Sequence, residues 1–133
     1  MNYSVDTNIF LRFLVNDEPQ KANRVRRFFE KARDGAYTLF VESFIIAETI
    51  YMFSSYFKLP KIEVCKKARS ILSLPFLAIE ERKELLEALS IYEKHGIDFI
   101  DALLFVRTKR KEAHIASFDS DFDKLVPNLR IEP

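Results

Sequence analysis

Short strand-like segments alternate with longer amphipathic segments along this chain. Aromatic, aliphatic and β-branched residues, which favour buried strands, dominate residues 2–5, 37–41, 76–79, 114–117 and 129–131. Apolar residues at helical spacing, or nearly continuous apolar runs of helical length, predict helices over residues 7–15, 18–33, 43–56, 60–73, 80–94, 98–111 and 122–125. This alternation predicts an α/β fold with a largely parallel sheet and helices on both faces, in which ligands bind at the carboxyl ends of the strands.

The length and composition predict one intracellular domain. A chain of 133 residues can bury one core but is too short for two independent ones, so residues 1–133 are expected to form a single domain. Two glycines, Gly35 and Gly96, are too few for a glycine-rich phosphate loop. The single Cys65 allows no internal disulfide and is expected to be buried or half-buried. Without a signal-peptide pattern or a membrane-length apolar run, we expect a cytoplasmic protein with no membrane association.

Four acidic residues stand where a strand ends or where a helix is otherwise apolar. Asp6 and Asp119 follow predicted strands, whereas Glu48 and Asp101 interrupt apolar helical runs. Ionised carboxylates are rarely buried unless they are paired or bind a metal. Ordinary alternatives exist, since Asp6 is also a favourable helix cap and Glu48 can fall on the one exposed strip of its helix. Four such acids together nevertheless favour a shared pocket.

Other acids accompany this set. Asp98 lies one helical turn before Asp101 and is the better helix-cap candidate. Asp121 and Asp123 follow Asp119 closely and can cap the short helix there, and Asp121 is also kept as an additional ligand candidate. In contrast, we expect a solvated helix face to carry Glu80, Glu81, Glu84 and Glu87.

A set of carboxylates without His or Cys nearby predicts a site for a hard divalent cation. Carboxylate oxygens suit Mg²⁺ or Mn²⁺, whereas zinc and copper favour nitrogen and sulfur ligands. Like charges held close together repel and raise one another's pKa, and a bound cation relieves that repulsion.

Four short motifs follow one another along the chain: Val5-Asp6-Thr7-Asn8, Ala47-Glu48, Asp98-x-x-Asp101-Ala102 and Ser117-Phe118-Asp119. Each motif is weak alone, but all four in this order over a chain of this length are specific. Together they resemble the PIN-domain nucleases, and in particular the VapC-type toxins of toxin–antitoxin pairs.

This resemblance implies a three-layer α/β/α sandwich with a five-stranded parallel sheet. It also implies an Mg²⁺- or Mn²⁺-dependent endoribonuclease in which a metal-activated water cleaves the phosphodiester, together with a homodimer neutralised by a small antitoxin protein. The catalytic and metal-binding acids would be Asp6, Glu48, Asp101 and Asp119. The residues that support them would be Asn8 and Ser117, which hydrogen-bond and orient the acids, and Asp98 as an additional acid.

An RNA substrate requires local cationic surface, because 21 Lys and Arg against 20 Asp and Glu give a net charge of only +1. The candidate clusters are Lys21, Arg24, Arg26, Arg27, Lys31 and Arg33, and then Arg107, Lys109, Arg110 and Lys111. The first can also be an ordinary solvated helix face, and the second can be cations that stabilise a helix C-terminus. An apolar patch for a second subunit or an antitoxin is expected among Phe40, Phe44, Tyr51, Phe53, Tyr56 and Phe57.

Two alternatives stay open at this point. One is a PIN-like domain that binds RNA or protein without cleavage. The other is a phosphoacceptor signalling domain, which also has acids at strand ends around Mg²⁺. That class needs an Asp after the middle strand, where this chain has Glu42 or Glu80.

Overall fold

Three parallel strands organise the first of two units, Met1–Arg82, in a computed structural model that describes residues 1–15 and 17–133. They are β1 (Tyr3–Ser4), β2 (Leu39–Val41) and β3 (Leu77–Ile79), with β2 in the middle. Tyr3 pairs with Leu39, and Leu39 pairs with Leu77. Because the strands are parallel, their carboxyl ends lie at one edge of this sheet. The acids that follow those ends are Asp6, Glu42 and Glu80.

The helices of the first unit are α1 (Thr7–Leu14), α2 (Pro19–Arg33), α3 (Ser43–Tyr51) and α4 (Lys61–Leu72). Helix α1 packs against α2 and α3, and α3 also packs against α4. Pro19 starts α2 at a position where no backbone donor is needed. The buried stripe of α2 brings Phe29 close to Phe10 of α1, with 6.1 Å between ring centroids.

The second unit, Lys83–Pro133, contains most of α5 (Arg82–Lys94), α6 (Phe99–Arg110), β4 (Ile115–Ala116), a 3₁₀ helix (Ser120–Lys124) and β5 (Arg130–Ile131). Strands β4 and β5 are parallel, with Ile115 opposite Arg130 and Ala116 opposite Ile131. The chain between them therefore crosses over through the 3₁₀ helix, and Ser117 and Asp119 follow the carboxyl end of β4.

The predicted α/β class is confirmed, and the strand pairs found in residues 1–15 and 17–133 are all parallel. All five expected strands occur, three in one sheet and two in another. The assignment of residues 1–133 to a single domain stays a prediction. Cys65 is fully buried in α4, as expected. Within the described part of the chain, no helix combines the length and apolar character needed to cross a membrane.

The C-terminal part of the third helix differs from expectation. The α-helix predicted to reach residue 56 changes at Met52 into a π-helical turn, Met52–Tyr56. At the other end, Ser43 is the first residue of α3 and Glu42 takes the cap position. The Ser43 hydroxyl donates to Glu80 Oε1 at 2.9 Å, so it ties the start of α3 to the end of β3.

Candidate acidic site

Asp6 lies between β1 and α1 with its carboxylate exposed. It occupies the N-cap position of α1 with an extended backbone (φ −87°, ψ 159°), yet among the described residues its side chain makes no capping hydrogen bond. Asn8, in the first turn of α1, is also exposed. The Asp6 carboxylate therefore does not cap α1. The side chains of Asp6 and Asn8 are both exposed and can contact a ligand.

Glu48 lies on the exposed strip of α3. The expectation that this carboxylate sits inside an apolar environment is therefore wrong. Its neighbours on that strip are unusual, however, because Phe44 one turn before it is 64% exposed and Tyr51 one turn after it is 62% exposed. An ordinary solvated helix face carries polar residues at such positions, so this strip has the character of a contact surface.

The acids of the second unit influence one another electrostatically. Asp101 is half-buried in the first turn of α6. Burial is the largest effect that raises the pKa of Asp101, and the negative charges of Asp119, Asp98 and Asp121 raise it further. Asp98 holds the N-cap position of α6, but in the described structure its side chain makes no capping hydrogen bond. A cation near Asp101 would therefore stabilise the ionised carboxylate.

The loop after β4 has its own hydrogen bonds. Asp119 Oδ1 accepts from the Asp121 amide at 2.9 Å, and Ser117 Oγ accepts from the Asp119 amide at 3.0 Å. Ser117 therefore contacts the main chain of Asp119 rather than its carboxylate. Asp121 forms an ion pair with Lys124 at 3.0 Å, and Lys124 Nζ also donates to the Gly96 carbonyl oxygen at 3.3 Å.

The candidate ligands belong to both units, Asp6 and Glu48 to the first and Asp101 and Asp119 to the second. Over residues 1–15 and 17–133, no group of three or more His, Cys, Asp or Glu side chains lies close enough to hold a metal ion. The chemistry of the donors nevertheless suits a hard cation, because they are carboxylates and the neighbours of Asp101 add negative charge. The ligand set stays a prediction.

Glu84 is a buried acid that the sequence pattern did not reveal. It was expected on a solvated face, but its side chain is only 8% exposed. It forms ion pairs with Arg107 Nε at 3.2 Å and with Arg110 Nη1 at 2.6 Å. One feature of the sequence does indicate that Glu84 is buried. It lies four residues before Ala88, which belongs to the buried stripe of α5.

The two cationic clusters have different surroundings. Lys21 and Arg24 of the first cluster line a cleft of about 600 Å³ between α1 and α2, together with Asn8 and Phe28. Arg26 lines a separate groove. In the second cluster, Arg107 and Arg110 pair with Glu84 and Lys109 lies 5.4 Å from the centre of the Phe105 ring. Arg107 and Arg110 therefore have a structural role, whereas Lys21 and Arg24 share their cleft with Asn8, which lies two residues after Asp6.

Comparison with known proteins decides the family. The family model of the PIN domain matches residues 3–126, nearly the whole chain. The chain belongs to the PIN domain family. This PIN-domain chain is also similar to a VapC ribonuclease from Aquifex aeolicus (strain VF5), with 28% identity over 122 residues that cover 91% of this chain and 90% of that protein. The resemblance inferred from the four motifs is confirmed, and the PIN-like fold class with it.

Proposed function

We propose that this PIN-domain protein is an Mg²⁺- or Mn²⁺-dependent endoribonuclease that acts as the toxin of a toxin–antitoxin pair in the cytoplasm. Its similarity to a VapC ribonuclease over most of both chains supports this proposal. The structural observation that carries it is the group of acids in the second unit, in which Asp101 is half-buried in the first turn of α6. Its burial and then the charges of Asp119, Asp98 and Asp121 raise the pKa of that carboxyl. Such a group of acids favours a divalent cation, and a cation bound by carboxylates is suited to phosphodiester cleavage.

Each candidate residue has a proposed role. The metal-binding and catalytic acids are Asp6, Glu48, Asp101 and Asp119. The supporting residues are Asn8, Asp98, Ser117 and Asp121. When bound, Mg²⁺ or Mn²⁺ would contact the scissile phosphate and lower the pKa of a water molecule. The chain's own part is to hold the carboxylates: Asp6 at the end of a strand without a capping role, and Asp119 in a loop fixed by hydrogen bonds.

The test is an RNA cleavage assay with purified protein and mixed cellular RNA in Mg²⁺, Mn²⁺ or EDTA. We expect cleavage that EDTA abolishes and that both Asp6→Asn and Asp101→Asn reduce below detection. The matched control is Asp34→Asn, which neutralises an exposed carboxylate at the C-terminus of α2 and should retain full activity. Cleavage that persists in EDTA and in both variants would exclude this mechanism.

One observation favours a second candidate function. Because the described residues contain no preformed group of three metal-binding side chains, a PIN domain that binds RNA without cutting it is the alternative. The same assay separates the two, since that protein would retain RNA on a filter and leave it intact in Mn²⁺. A phosphoacceptor domain is not proposed, because the chain belongs to the PIN family.

We also propose a homodimer and a small antitoxin as partners. The exposed aromatic side chains of Phe44 and Tyr51, and of Tyr56 at 70% exposure, support a contact surface on the first unit. Sedimentation velocity tests the dimer. Phe44→Ser combined with Tyr51→Ser should shift the protein to monomer, whereas Phe118→Ser, at an exposed position in the second unit, should leave the dimer intact. A wild-type monomer, or equal behaviour of both proteins, would contradict the proposal.

A further inference from the structure

Arg130, in β5, holds both ends of the loop that carries Asp119. Its Nε and Nη2 donate to Asp123 Oδ1 and Oδ2 at 3.2 Å and 2.8 Å, which is a bidentate pair. Its Nη1 donates to the Ser117 carbonyl oxygen at 3.1 Å. Ser117 precedes Asp119 and Asp123 follows it, so one guanidinium joins the two sides of the loop over residues 117–123.

The position of Arg130 is itself well fixed. Backbone hydrogen bonds connect β5 to β4 on either side of it, from the Ile115 amide to the Leu129 carbonyl oxygen at 2.9 Å and from the Ser117 amide to the Ile131 carbonyl oxygen at 3.0 Å. The Arg130 side chain is only 13% exposed. A planar guanidinium that binds a carboxylate through two parallel hydrogen bonds also constrains the orientation of both groups.

The carboxylate of Asp119 depends on the conformation of this loop. Its Oδ1 accepts from the Asp121 amide, and its own amide donates to Ser117 Oγ. If residues 117–123 move, the Asp121 amide moves with them and one carboxylate oxygen of Asp119 loses its donor. A ligand that is not held by a second contact binds metal less well.

We propose that Arg130 is a positioning residue: its bidentate pair with Asp123 holds the loop over residues 117–123 in the conformation that orients the Asp119 carboxylate toward a metal. This inference rests on the proposed function, in which Asp119 is a metal ligand. It also assigns a role to Asp123, for which the sequence suggested only helix capping, and to Arg130, which lies beyond the segment 3–126 that the family model matches.

The first test uses metal-free protein and three variants. Asp123→Asn and Arg130→Gln each remove the bidentate pair. Glu132→Gln is the matched control, because Glu132 also accepts from Arg130 Nη1, at 2.7 Å, but lies outside the loop. NMR-detected exchange of the Asp121 amide with solvent should be about tenfold faster in the first two variants and unchanged in the control. Wild-type exchange in Asp123→Asn would overturn the proposal.

The second test measures Mn²⁺ affinity by electron paramagnetic resonance, together with kcat and KM for RNA. Asp123→Asn should weaken Mn²⁺ binding by about 10- to 100-fold and lower kcat at limiting Mn²⁺, with KM for RNA within about twofold of wild type. Arg130→Lys should recover part of the affinity. The Asp123 side chain is 46% exposed, so its variant should still fold, and the far-ultraviolet circular dichroism spectrum in EDTA verifies this for all variants.

The two proposals fail in different ways. If wild-type protein neither binds Mn²⁺ nor cleaves RNA, the proposed function fails and so does any role of Arg130 toward a metal, whatever the exchange rates are. If wild-type protein cleaves RNA with Mn²⁺ while Asp123→Asn and Arg130→Gln match it in Mn²⁺ affinity and kcat, the function stands and the positioning role of Arg130 is wrong.

Discussion

Asp101 connects the stability of the fold to the proposed function. Burial and the charges of Asp119, Asp98 and Asp121 raise its pKa, so the folded protein binds this proton more tightly than the unfolded chain does. Stability contributed by that difference is greatest at low pH and is lost as the pH rises through the raised pKa. Above that pH, without a metal, the ionised Asp101 destabilises the fold.

Asp101→Asn should therefore stabilise the metal-free protein while abolishing cleavage. Asparagine is neutral at every pH, so it removes both the cost of burying the charge and the repulsion from the neighbouring acids. We expect Tm in EDTA at pH 7.5 to rise by about 1–3 °C, and the gain to shrink as the pH falls through the raised pKa, where the wild-type carboxyl is also protonated. Thermal melting by circular dichroism between pH 4.5 and 8 measures this.

Asp123→Asn is the control with the opposite sign. The hydrogen bonds from Arg130 lower the pKa of Asp123, so its ionised form stabilises the fold above the unfolded-state pKa, and that stability is lost as the pH falls through the lowered pKa. The variant should melt below wild type at pH 7.5 and approach it in acid. If the two variants shifted Tm in the same direction, the electrostatic explanation for Asp101 would be wrong.

The sequence predicts individual acids where their position relative to an element decides their environment. The sequence correctly placed Asp6 and Asp119 after strands, and it placed Asp98 and Asp101 three positions apart at the start of a helix. Whether Glu48 is buried or exposed could not be decided from the sequence, because the exposed strip of α3 carries aromatic residues and the whole helix therefore has an apolar composition. Contacts with distant partners, such as that of Asp123 with Arg130, leave no local pattern.

Helices α5 and α6 are joined by one buried acid. The Glu84 side chain is nearly inaccessible to solvent, whereas its partners Arg107 and Arg110 are 32% and 54% exposed. Removing the acid would take one ion-pair partner away from each of two cations. Breaking a fully buried pair typically costs about 3–5 kcal/mol, and the partial exposure of both arginines reduces that cost because water screens the charges that are left.

We accordingly expect Glu84→Gln to lower the free energy of unfolding by about 2 kcal/mol. Urea denaturation followed by fluorescence or circular dichroism measures the change. The matched control is Glu87→Gln on the same helix, where the side chain is exposed and the effect should stay within about 0.5 kcal/mol. Equal losses of unfolding free energy in both variants would show that a change in the helix itself, rather than the loss of the buried ion pairs, destabilises the protein.

Sequence periodicity predicts the type and order of the helices and strands better than it predicts the residues at which they begin and end. Helix α2 was expected over residues 18–33 and occupies Pro19–Arg33, because Pro19 and the Asp34-Gly35 break both act locally. Strands were predicted one or two residues too long, since apolar composition continues beyond the hydrogen-bonded ladder. The π-helical turn over Met52–Tyr56 had no signal, because one apolar segment spans both kinds of helix.

Across the whole molecule, positive and negative charges almost cancel, with 21 Lys and Arg against 20 Asp and Glu. A net charge of +1 cannot attract a polyanion from a distance. Several of the arginines are also engaged within the protein, as Arg107 and Arg110 are with Glu84. The proposed RNA affinity must therefore come from a few local contacts. The cleft between α1 and α2 is the surface best placed to make them, because Arg24 lines it together with Lys21, which also pairs with Glu18 at 3.0 Å.

This charge balance predicts a shallow dependence of RNA binding on salt. Each phosphate contact with single-stranded RNA contributes about 0.7 to the slope of log affinity against log salt concentration, so two contacts give a slope near −1.4. Arg24→Ala should weaken binding by about 3- to 10-fold at low salt and reduce the slope by about 0.7, whereas Arg26→Ala, on a separate groove, should change neither. Fluorescence anisotropy with a labelled single-stranded RNA, in an Asp6→Asn background in which we expect no cleavage, measures both quantities. A steep slope that Arg24→Ala leaves unchanged would place the RNA on another surface of the protein.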